Sequence, residues 1–161
     1  MTIRMGCLLG IVLACSGTPN KPPLLKHSIE SVRFNTTRCF GTCPEFGLLI
    51  QSDRKVLYTA RKFNDPDGNF EGTITPETYA QLIALLDEID FPNLKNKYEA
   101  GWTDDQTAVL TIQYDGNKTK TILDYGLQGT EGLCKIYKLL FDWRNGQNGS
   151  IVKIVFLINT N

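Results

Sequence analysis

The sequence predicts an α+β fold: an antiparallel sheet of four to six strands with two helices on one face, in the order hairpin, helix, hairpin, helix. Three observations predict it. Two pairs of apolar runs with a two-residue rhythm bracket polar turns, at Phe46–Ile50 with Val56–Ala60 and at Thr107–Tyr114 with Thr119–Tyr125. Two further stretches place apolar side chains at helical spacing behind a threonine. Finally, 161 residues with 42% apolar and 21% charged content suffice for one domain with its own core and are too few for two.

In chain order, residues 1–14 read as an export signal. Arg4 supplies the positive start, and Met5 to Ala14 form an apolar run of 10, too short for the roughly 20 residues of a membrane span. The run ends in Val12-Leu13-Ala14-Cys15, which resembles a bacterial lipobox, with Cys15 as the lipidated first residue of the mature chain. Residues 15–27 are then a lipid-anchored tether, since Ser16 to Pro23 offers nothing that builds a core. His27, the sole histidine, has no second histidine for a metal or catalytic pair and reads as solvated.

The domain proper is expected over 28–146. Ser28 to Thr36 suggests a strand with a mixed face, and Arg38-Cys39-Phe40-Gly41-Thr42-Cys43-Pro44 a turn, because Pro44 biases Cys43 toward extended backbone and Gly41 permits positive φ. The first hairpin follows, with Phe46, Leu48 and Ile50 on one side. Asp65-Pro66-Asp67-Gly68 is a turn and Phe70 to Thr75 a short edge strand. Thr75-Pro76-Glu77 starts a helix: a threonine cap, proline at the first helical position and a carboxylate near the positive end of the dipole. Tyr79, Leu82, Ile83, Leu86 and Ile89 form its buried stripe.

Pro92 to Asp105 reads as irregular, with Tyr98 and Trp102 anchored in the core and Asp104-Asp105 a turn bonding its own backbone. The second hairpin turns at Asp115-Gly116-Asn117, with Ala108, Leu110, Ile112 and Tyr114 facing inward. Thr130 caps a second helix carrying Leu133, Ile136, Tyr137, Leu140 and Trp143, with Gly146 near its end. Residues 147–161 form a C-terminal strand or tail, apolar from Ile151 to Ile158 except at Lys153.

Acidic and basic residues balance at 17 each with no basic run, so nothing draws the chain to nucleic acid. With Cys7 in the leader and Cys15 given to lipid, Cys39, Cys43 and Cys134 remain. In an oxidising envelope Cys39 and Cys43 are most simply a local disulfide. A redox pair would need a helix amino terminus or a cation to lower a thiol pKa, and only Arg38 is at hand. A metal site would need ligands beyond Cys134 and His27, and no metal or other cofactor is implied. Cys134 reads as a buried small hydrophobe beside the apolar helical stripe.

The segment Cys-Phe-Gly-x-Cys-Pro, with the Phe46 to Tyr58 hairpin, Phe91 to Tyr98, Thr103-Asp104 and Lys120 to Tyr125, resembles an uncharacterised bacterial family of exported proteins and lipoproteins, a domain of unknown function. The resemblance spans Ser28 to Trp143. It carries no catalytic residue. It implies that the cysteine turn and the Thr103-Asp104 loop are the informative surfaces, which makes Arg38, Phe40, Trp102 and Asp104 the candidate binding surface. The functional expectation is a non-enzymatic lipoprotein of the bacterial cell envelope, held to the membrane by Cys15 and binding an envelope protein or small ligand. The alternative is a thiol-disulfide redox protein using Cys39 and Cys43.

Overall fold

The structure, a computed structural model, describes residues 25–65, 67–144 and 155–156. The expected signal, Cys15, the tether as far as residue 24, Pro66, Gly146 and the tail apart from Val155 and Phe156 lie outside the described residues.

Alternating burial builds a first run of four strands: β1 (Ile29–Thr36), β2 (Phe46–Gln51), β3 (Lys55–Ala60) and β4 (Gly68–Thr73). They pair in sequence, each antiparallel to the last. Helix α1 (Pro76–Glu88) follows, with the Thr75 side chain accepting from the Thr78 amide and proline in its first turn. A 3-10 turn at Phe91–Asn93 leads to β5 (Lys97–Glu99), then β6 (Thr107–Tyr114), β7 (Lys118–Tyr125) and helix α2 (Glu131–Arg144). Val155–Phe156 forms β8 against Phe70 and Glu71 of β4.

The expected sheet of four to six antiparallel strands in hairpin, helix, hairpin, helix order is therefore corrected. Seven strands lie between residues 29 and 125, β8 makes the sheet eight-stranded, and its order is β5-β7-β6-β1-β2-β3-β4-β8. The sheet is mixed, because β5 runs parallel to β7, Lys97 opposite Leu123 and Glu99 opposite Tyr125. Four strands, not a hairpin, precede α1. The chain is mostly sheet because β1, expected only as a mixed strand, is central: it pairs with β2 on one side and β6 on the other, joining the two halves.

Its period-two pattern sends Val32 and Phe34 to the same side as Phe46, Leu48, Ile50, Leu110 and Ile112, where they meet Leu82 and Leu86 of α1 and Ile136, Leu140 and Trp143 of α2 in one buried cluster. Each such side chain contributes about 1.5–3 kcal/mol on leaving water. The helices touch closely where Gly132 faces Ile89, since a β-carbon on Gly132 would lie 2.2 Å from the Ile89 methyl.

Two smaller expectations also fail. His27 is partnered rather than solvated: Nδ1 lies 2.8 Å from Asp115 Oδ2, and the ring packs edge-on against Phe91 and Tyr114. Cys134 is free but exposed, because its position on α2 falls outside the buried stripe of Leu133, Ile136, Tyr137 and Leu140.

Strand register gives the sheet two poles. At one, β1 ends, β2 begins, β3 ends, β4 begins, β6 begins and β7 ends, as the pairs Asn35 with Gly47, Phe46 with Ala60, Ala60 with Gly68, Thr36 with Ala108 and Thr107 with Tyr125 fix. The chain enters at the other pole, where Ser28 bonds the Asp115 turn through both its amide and its carbonyl.

Candidate functional site

The first pole gathers the loops at 37–45, 61–65, 100–106 and 126–130. The 37–45 loop is closed by Cys39 and Cys43, whose sulfurs lie 1.98 Å apart, at disulfide distance. Gln106 fixes its base from below: its buried amide donates to the carbonyls of Thr37 at 3.0 Å and Pro44 at 2.8 Å. Thr36 adds a second tie, its hydroxyl donating to Pro44 O and accepting from the Phe46 amide. Gly41 N–H points back at Cys39 Sγ, 3.2 Å away. The result holds Phe40 at the tip of the loop, 90% exposed.

The neighbouring 100–106 loop is bonded to this knuckle through Phe40 N–H and the Asp104 carbonyl, 3.1 Å apart. Asp104 adopts φ of 69°, a left-handed conformation that aspartate tolerates. Asp105 organises the loop: Oδ2 accepts from Trp102 Nε1 at 2.8 Å, Oδ1 from the Gln106 amide at 2.7 Å, and its own N–H donates to the Tyr125 hydroxyl. The Trp102 and Gln106 bonds hold the Asp105 carboxyl below the usual carboxylate range. The loop rests on Gly126, at φ of 76°, where a β-carbon would come within 2.6 Å of that of Ala100. Buried Asp124 accepts the amides of Gln128 and Gly129 and so shapes the turn beyond.

Residues 30–144 match a domain of unknown function, DUF6438. The chain belongs to that family. No curated protein matches it.

In this DUF6438 domain the candidate residues fall together in part. Phe40 and Asp104 meet through the backbone, and Trp102 lies two residues before Asp104. Trp102 is 51% exposed, not anchored in the core as expected, because its indole N–H is satisfied by Asp105 at the loop surface. Arg38 shares the knuckle but turns to Glu45, with Nε 3.0 Å from Oε2. Cys15 lies outside the described residues.

Sequence reasoning missed the 61–65 segment, assigning only Asp65, to a turn. Glu45 N–H donates to the Lys62 carbonyl and Arg61 N–H to the Glu45 carbonyl, which brings this loop beside the knuckle. Phe63 there is 53% exposed and holds φ of 57°, so three of the exposed large apolar side chains, Phe40, Phe63 and Trp102, stand at one pole among Arg38, Arg61 and Lys62. Asn64 pins the segment, donating to Glu45 O and Lys62 O and accepting from the Tyr58 hydroxyl and Arg144 Nη1. Burial pushes the Tyr58 hydroxyl up to about 12, which keeps it a donor. The signal that would have found this juxtaposition is the meander itself: in four consecutive antiparallel strands the β1–β2 and β3–β4 loops share an end.

Proposed function

We propose that this DUF6438 protein is a non-enzymatic binding module of the bacterial cell envelope, carried on a lipid at Cys15, which grips an envelope protein with its loop pole. The observation that carries the reading is the placement of Phe40, Phe63 and Trp102 at the pole opposite the one where the chain enters from the tether. Apolar rings exposed on braced loops lose little conformational freedom on binding, the property that makes aromatic anchors dominate interface energies.

Photo-crosslinking in the native envelope tests it. A photoreactive phenylalanine analogue at Phe40 should give one discrete partner band, and the band should vanish with Phe63→Ser. The same analogue at Asn117, on the entry pole, should give no such band. Equal products from both poles, or none from Phe40, would overturn the proposal.

The alternative, disulfide exchange at Cys39 and Cys43, draws support from Gly41 N–H, which would stabilise a Cys39 thiolate. Against it, Arg38 is engaged by Glu45 and a strand, not a helix amino terminus, follows the pair. A reduction potential below about −300 mV fits the binding module, and a more oxidising value fits exchange.

A further inference from the structure

Beside the aromatic pole lies a hollow of about 420 Å3 lined by Tyr58, Phe63, Asn64, Asp65 and Arg144. Its chemistry is set by an underused guanidinium. Arg144 closes α2 and lies over the Phe46 ring, 5.8 Å from its centroid. Among the described residues one of its five N–H donors is given, to a neutral acceptor, Asn64 Oδ1, at 3.2 Å, and its Nε is buried with no partner. Among the described residues no carboxylate comes within 4.0 Å of it, and Asn64 has no capacity to spare: its oxygen also takes the Tyr58 hydroxyl and its amide serves Glu45 and Lys62. A guanidinium fixed by a ring and an amide, with donors left over, is built to receive a planar oxyanion two bonds at a time.

Asp65 decides which one. It lines the same hollow unpaired with Arg144, so a dianion such as phosphate meets repulsion there, while a monovalent carboxylate whose carrier also bears a cationic donor satisfies both charges. We propose that the hollow binds an amino-acid unit, free or at a peptide end, with its carboxylate on Arg144 and its ammonium toward Asp65. This inference shares Phe63 with the protein-binding reading but does not depend on it, since its chemistry rests on Arg144 and Asp65, which that reading does not use.

The test is an NMR titration of the full chain, following the Arg144 Nε–H resonance at constant ionic strength with three probes: L-alanine, propionate and inorganic phosphate. L-Alanine should give a saturable shift, propionate, which lacks only the ammonium, a weaker one, and phosphate the weakest. Arg144→Gln, followed through the amides of residues 63–65, should weaken L-alanine binding about tenfold or more. Asp65→Asn, on an exposed loop, should fold normally and erase the gap between L-alanine and propionate. A non-saturating drift shared by all three probes, tightest binding of phosphate, or a gap unchanged in Asp65→Asn would overturn the proposal, and the wild-type titration alone can do so.

Discussion

Gln106 shows how much of the loop pole depends on single side chains. Its amide is buried and both of its donor bonds end on carbonyls of the cysteine knuckle, so Gln106→Leu strands the Thr37 carbonyl and weakens the hold on Pro44. The loss should be about 1–3 kcal/mol in a denaturant melt. Phe40→Ala should behave oppositely, moving stability by less than about 0.5 kcal/mol because the ring touches solvent, while removing most of the partner cross-linked from a photoreactive analogue placed at Trp102 instead. At the entry pole, the hydrogen bond from His27 and then the Ser28 amide bring Asp115 down to about 2. A depressed carboxyl contributes stability that is present above its unfolded pKa, 3.8, and is lost as pH falls from there through about 2. Asp115→Asn should therefore flatten the acid limb between about pH 4 and 2, a difference readable from thermal midpoints across that range. Asp115 itself was legible as a turn residue beside Gly116. Its partner was not, because the contact with His27 joins residues 88 positions apart.

Elements whose pattern is local were readable, and elements fixed by distant neighbours were not. Phe46, Leu48 and Ile50 alternate and are buried, and Thr75-Pro76 starts α1 by capping and preset φ. The strand β5 escaped because Lys97-Tyr98-Glu99 is too short for a period and carries two charges. Its place comes from parallel pairing with β7 and from Lys120, which donates to the carbonyls of Pro92 and Leu94. The same division holds at the site: the cysteine turn is visible in sequence, whereas Phe63 looks like part of a polar turn until β3 and β4 are seen to pair. The knuckle offers an element-scale prediction. Closing a loop of five residues is worth about 2 kcal/mol in the chain-entropy picture, so Cys39→Ser with Cys43→Ser should lower the melting temperature by about 4–8 °C without unfolding the sheet. The stability is held mainly by the buried cluster, and the loss at the tip should be larger: Phe40 would have to be ordered on binding, and partner affinity should fall by more than the stability change suggests.

At the scale of the whole molecule, the proposed reading gives attachment to one pole and recognition to the other. Strand β1 spans the sheet with 8 residues, about 26 Å at 3.3 Å per residue, and the chain enters at its start while Phe40 lies beyond its end. With the proposed lipid on Cys15, the shortest route keeps the His27 pole nearest to the bilayer and the aromatic pole turned outward. Anchoring would then act only through effective concentration, by confining the module to the surface where its partner resides, and not through any contact of its own. The prediction is a clean division. Cys15→Ser should release the protein from the envelope and reduce cross-linking in cells, while the purified variant keeps its affinity for the isolated partner within about twofold, since no residue of the loop pole is altered. If that affinity instead falls together with retention, the membrane or the lipid forms part of the binding surface, and the opposition of the two poles is not what organises recognition in this domain.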